Sequence, residues 1–73
     1  MVIVVSSPGC QPCRLTKRVL TDNKVEFIER NVADDPEALD LVKELGYSSA
    51  PVVIAGDQHW TGFRPDLLSS LAA

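Results

Sequence analysis

The sequence predicts one α/β domain over residues 1–73, of order βαβαββα, with a four-stranded mixed sheet flanked by three helices. Three observations carry that prediction. A β-branched run at Met1–Val5 is cut off by Ser6-Ser7-Pro8-Gly9. An apolar stripe of helical period lies between Pro36 and Gly46, and Gly56-Asp57 separates two short strand-like runs.

Each element has its own local reason. Met1–Val5 is apolar throughout, the pattern of a strand buried on both faces at the centre of a sheet. From Cys13 to Leu20 the residues Leu15, Val19 and Leu20 recur at helical spacing, with Arg14, Lys17 and Arg18 on the outer side; Asp22-Asn23 ends that helix. Val25–Arg30 predicts a strand with Val25 and Phe27 on one face and Ile28 on the other. Asp34 or Asp35 caps the second helix, Pro36 sits in its first turn and Glu37 complements its dipole. Its stripe is Ala38, Leu41, Val42 and Leu45, closed by Gly46. Val52–Ala55 and Gln58–Thr61 form a hairpin about Gly56-Asp57. Pro65 opens the last helix, with Leu67, Leu68 and Leu71 inward and Arg64 a poor cap. Strands joined through a helix are expected to run parallel with a right-handed crossover, and the hairpin to add an antiparallel edge strand.

Composition narrows the function. Seventy-three residues leave no room for a second domain, a lid or a large enclosed cavity. A net charge of −3 lacks the basic face that nucleic acid requires. Met1–Val5 is far shorter than the roughly 20 residues of a membrane span, and it lacks the flanks of a signal peptide. Two cysteines three apart are not the staple pattern of secreted mini-domains, so a cytoplasmic setting is expected.

The chemistry is expected at Cys10-Gln11-Pro12-Cys13, which follows a strand and opens a helix. Pro12 has no N–H to donate and belongs in a first helical turn, which places the helix start near Cys10. With Cys10 as N-cap, the backbone N–H of Cys13 points at its sulfur, and the positive end of the helix dipole adds to it. Both favour the thiolate over the thiol. Cβ atoms three apart within a regular helix lie about 5–6 Å from each other, too far for a disulfide at about 3.5–4.5 Å. At the helix end the pair closes easily, which makes it a redox switch. Zinc needs about four ligands where the chain offers two cysteines and the lone His59. Covalent haem attachment needs His at position 14, which is Arg, and a structural disulfide closing so short a loop restrains little.

The chain resembles the minimal glutaredoxin-like form of the thioredoxin superfamily over nearly its whole length. His59-Trp60-Thr61-Gly62-Phe63-Arg64-Pro65-Asp66 is similar to the Trp-Ser-Gly-Phe-Arg-Pro signature of NrdH-redoxins, and Asn23–Asn31 and Ala50-Pro51-Val52-Val53 also fit. The resemblance implies a thioredoxin/glutaredoxin-like fold and a thiol–disulfide oxidoreductase. Electrons would come from NADPH through thioredoxin reductase and pass to the catalytic subunit of class Ib ribonucleotide reductase. No cofactor or metal would be bound, and the chain would act as a monomer. Cys10 would attack and Cys13 resolve, with Gln11 and Pro12 between them. Ala50-Pro51 would match the superfamily's cis-proline, exposing the Ala50 backbone to a substrate strand and helping to keep metal away. Trp60, Thr61, Gly62, Phe63, Arg64 and Pro65 would face a docking partner, although taken singly Trp60 reads as a hairpin core residue, Phe63 as a staple for the last helix and Arg64 as a solvated charge. The chain departs from the common pattern at Ser7, where many relatives carry Lys, at Val5, where an aromatic is frequent, and at Thr61, where Ser is usual.

Two other readings compete. A glutathione-dependent glutaredoxin usually carries Gly-Gly and acidic residues after the last strand, where this chain has Thr61-Gly62-Phe63-Arg64-Pro65-Asp66. Arg64 has the wrong sign for the glutathione ammonium and Pro65 lacks an N–H. A cluster-bridging glutaredoxin usually has one cysteine without a resolving partner and no proline in the motif; Pro12 and Cys13 oppose that.

Overall fold

The computed structural model describes residues 1–72. In chain order the elements are β1 (Val2–Ser6), α1 (Gln11–Asp22), β2 (Ile28–Asn31), α2 (Pro36–Glu44), β3 (Val52–Ala55), β4 (Gln58–Thr61) and α3 (Pro65–Ser70). The sheet order is β2-β1-β3-β4. The continuous apolar run of β1 has its reason here, since β1 is hydrogen-bonded on both edges and covered on both faces. Val2 and Val4 face Leu20 of α1 and Leu68 of α3, with Val53 and Trp60 beside them. Ile3 and Val5 face Ala38 and Val42 of α2, with Val52.

The mixed sheet is as expected, but its reversal comes one strand early. β1 and β2 are parallel, whereas β3 runs antiparallel to β1 and so does not continue the direction of β2 across α2. β2 and β3 are not neighbours, so the crossover preference of adjacent parallel strands does not act on that connection.

Two further expectations are corrected by the packing. Residues 25–27 are not laddered. Lys24 leaves α1 at φ 58° and the Val25 N–H bonds to Leu20 O at 2.9 Å, so these residues turn the chain and the ladder begins at Ile28 opposite Ile3. Val25 and Phe27 still pack inward, while Ile28 is 48% exposed. On α1 the buried stripe is Cys13, Thr16 and Leu20, and Leu15 is left exposed. Capping at Cys10 sets the helix phase: residues 13, 16 and 20 share a face, and residue 15 lies off it.

α2 is capped as its sequence predicts. Asp35 Oδ1 accepts from the Ala38 N–H at 3.1 Å, and Arg30 donates to both Asp35 oxygens at 2.7 and 3.1 Å. Those bonds, the Arg30 guanidinium first, hold the Asp35 carboxyl below its ordinary pKa. Arg64 precedes α3 without capping it; its guanidinium instead pairs with Asp66 in the first turn. No described helix is long and apolar enough to cross a membrane.

Candidate active site

β1 ends at Ser6, and Ser7, Pro8 and Gly9 carry the chain over to α1, with Gly9 at φ 68°. Cys10 is the N-cap, in extended conformation at φ −91° and ψ 106°. Its Sγ accepts the Cys13 N–H at 3.2 Å, and its carbonyl accepts the first helical bond from Arg14 N–H at 3.3 Å. Because Pro12 contributes no N–H, the first turn has few free donors, and the one on Cys13 is aimed at sulfur. No acidic residue occupies that turn, so no carboxylate in it competes with Cys10 sulfur for the positive end of the dipole.

Cys10 and Cys13 are joined as a disulfide, with Cα atoms 5.3 Å apart. Their accessibility differs sharply. Cys10 is half-buried, whereas Cys13 is 2% exposed in the α1 face against the sheet. Of the two, Cys10 is the one open to an incoming sulfur. Gln11 and Pro12 are exposed on the rim.

The Ala50–Pro51 bond is cis, as the resemblance implied. Val5 pairs with Val52, so continuing that register sets Pro51 beside Ser6 and Ala50 beside Ser7, at the sheet end from which Cys10 emerges. Ser7 and Ala50 both line a cleft of about 400 Å³ that runs back to Leu39, Val42 and Tyr47. Pro51 is buried and Ala50 half-buried.

The predicted docking stretch divides. Trp60 is only 6% exposed and packs in the core with Val53 and Leu68, so it supports the hairpin from inside. Phe63 is half-buried against the same cluster. Gly62 donates its N–H to Pro51 O at 2.9 Å, and the Thr61 hydroxyl also turns toward that segment. Arg64 and Pro65 are exposed.

Sequence reasoning missed one polar cluster, which joins β1, β2 and α1. Buried Ser6 donates its hydroxyl to Glu29 at 2.8 Å, and Lys17, one turn beyond Cys13, donates to the same oxygen at 2.7 Å. Lys17 first, and then Ser6, hold the Glu29 carboxyl below its ordinary pKa. Nothing in the local sequence signals this cluster, because the β1–β2 register brings it together. Among the described residues no group of three or more His, Cys, Asp or Glu is placed to hold a metal.

A disulfide pair at a helix start, with one sulfur open and one shielded, is what Cys-x-x-Cys oxidoreductases use, and comparison decides the family. Residues 2–60 match the sequence profile of the glutaredoxin family. The glutaredoxin-like protein NrdH of Lactococcus lactis is 38% identical over 72 residues, 99% of this chain and all of that protein. The chain belongs to the glutaredoxin family, in its NrdH-redoxin branch. NrdH of Escherichia coli is 37% identical over 70 residues, 96% of this chain and 86% of its own length. The solved structure of Escherichia coli NrdH-redoxin, described there as having a thioredoxin-like activity profile, superposes with a TM-score of 0.91. It is 37% identical, over 96% of this chain and 92% of that one. A buckwheat glutaredoxin–glutathione complex, at 16% identity and TM-score 0.75 over 94% of this chain and 66% of its own, shares the fold alone. This glutaredoxin is a thiol–disulfide oxidoreductase, and Cys10 and Cys13 are its disulfide-capable Cys-x-x-Cys pair.

Proposed function

We propose that this NrdH-redoxin takes electrons from thioredoxin reductase and delivers them in the cytoplasm, as a monomer, to class Ib ribonucleotide reductase. Cys10 thiolate attacks one sulfur of the target disulfide; the other target sulfur leaves as thiolate and takes a proton from water. Cys13 then gives up its proton and attacks Cys10 Sγ, and the second target sulfur leaves in the same way. The target gains two electrons and two protons, and the carrier ends as the Cys10–Cys13 disulfide. Thioredoxin reductase, which holds the NADPH, reverses the oxidation, so the carrier itself needs no bound cofactor.

The observation that carries the choice of reductase is the Arg64–Asp66 pair, with two contacts of 3.3 and 3.1 Å. A glutathione ammonium approaching this loop meets a carboxylate already neutralised by its own neighbour. Pro65 offers no N–H there, and Ser7 supplies no cation for the other end of glutathione. Exposed Arg64 and Pro65, with the open edge of Phe63, are the docking rim in this reading. An NADPH-coupled assay tests it: turnover with thioredoxin reductase is expected, and turnover only with glutathione and its reductase overturns it.

A further inference from the structure

We propose that Thr61 is a positioning residue for protein substrates, its hydroxyl holding the backbone around Ala50 in place for an extended target segment. The inference rests on the reading of this site as a reductant of protein disulfides. Thr61 Oγ1 lies 3.1 Å from Ser49 O and 3.1 Å from Pro51 O, so one hydroxyl proton serves carbonyls on both sides of Ala50. Ser49 Oγ lies 3.4 Å from the same oxygen. Two residues earlier on the same face of β4, His59 Nδ1 is 2.7 Å from Tyr47 Oη, which also donates to His59 O at 3.3 Å. Thr61 and His59 stand opposite Val52 and Ile54, so β4 braces both ends of segment 47–51.

Ala50 is left apart from this bracing. Among the described residues neither its N–H nor its C=O takes part in a backbone hydrogen bond. A free donor and a free acceptor at the sheet end from which Cys10 emerges, fixed on both flanks, suit pairing with an extended backbone. The brace sets where that pairing occurs relative to Cys10. A small disulfide has no backbone to align and does not depend on it. Serine keeps the hydroxyl, while valine copies the shape of threonine without it.

The test uses pre-reduced protein in single-turnover reactions with insulin, a protein disulfide, and with a small aromatic disulfide. Thr61→Val is expected to slow insulin reduction at least fivefold and the small disulfide less than twofold. Thr61→Ser is expected to stay within twofold of the parent on both. Tyr47→Phe, which removes the second brace, should show the same selectivity at smaller size. Equal losses on both substrates, or none in either variant, overturn the positioning role. A parent protein that reduces the small disulfide and not insulin overturns the protein-disulfide reading itself.

Discussion

The starts of α1 and α2 are built alike and do different things. Each has proline in the first turn and an N-cap side chain that accepts the backbone N–H three residues on, at 3.2 Å for Cys10 and 3.1 Å for Asp35. At α2 the electrostatics are closed. Asp35 is ionised, Arg30 binds both its oxygens, and Glu37 adds a second negative charge to the turn. At α1 they are left open, with no acid in the turn and the Cys10 sulfur accepting the Cys13 N–H. The same capping geometry thus closes off the charge at one helix start and leaves a sulfur facing the backbone N–H at the other.

Substitutions at the sulfur cap break this contrast most strongly. Cys10→Ser is expected to abolish turnover in the coupled assay, because an alcohol at this site does not ionise near neutral pH. Cys13→Ser leaves attack intact and traps the target as a mixed disulfide, visible as a covalent adduct by mass spectrometry. Retained turnover in Cys10→Ser would reverse the two roles.

Capping by Asp35 is tested on the other side. Asp35→Ala should lower the melting temperature by about 5 °C, the usual scale for a lost cap in a small domain. Its Cys10 alkylation rate should match the parent, and a slower rate would mean that the two helix starts are coupled.

Closing the open turn sharpens the comparison. Gln11→Glu places a carboxylate in the first turn of α1, where it competes with the thiolate for the dipole. A helix-end charge is typically worth about 0.3–1 kcal/mol, which corresponds to roughly a two- to fivefold loss of thiolate near neutral pH. The alkylation rate profile against pH should move to higher pH, and an unmoved profile removes the dipole from the account.

The smallest effect is in acid. The Asp35 carboxyl is depressed in the fold, so its contribution is complete above the unfolded value near 3.8 and is lost as pH falls through the folded one. Asp35→Asn keeps a capping oxygen without the charge, so its melting temperature should fall less steeply below about pH 4 than the parent's. Equal slopes would show that other carboxylates, Glu29 among them, set the acid limb.

Most of the element order was legible because local chemistry decides it. The Pro12 and Pro36 helix starts, a cap at Asp34 or Asp35 and the Gly56-Asp57 turn each act within a few residues; all are present, with Asp35 as the cap. The misreadings have a common cause. Leu15 and Thr16 were distinguished by the phase of α1, and the start of β2 by the turn at Lys24; neither is visible in hydrophobicity alone. Trp60 carries both a hairpin-core and a docking reading in the sequence because a motif does not say which face of a strand it occupies; packing puts its side chain in the core.

The amino-acid order alone determined that a cysteine would cap a helix and that a second would follow one turn later, since capping and proline exclusion operate along the chain. Only tertiary packing decided that Cys13 is shielded while Cys10 stays open, that β3 reverses against β1, and that Thr61 and His59 brace the segment before β3. Those outcomes depend on strand register and helix phase, which join residues distant in sequence and so are settled when the layers meet.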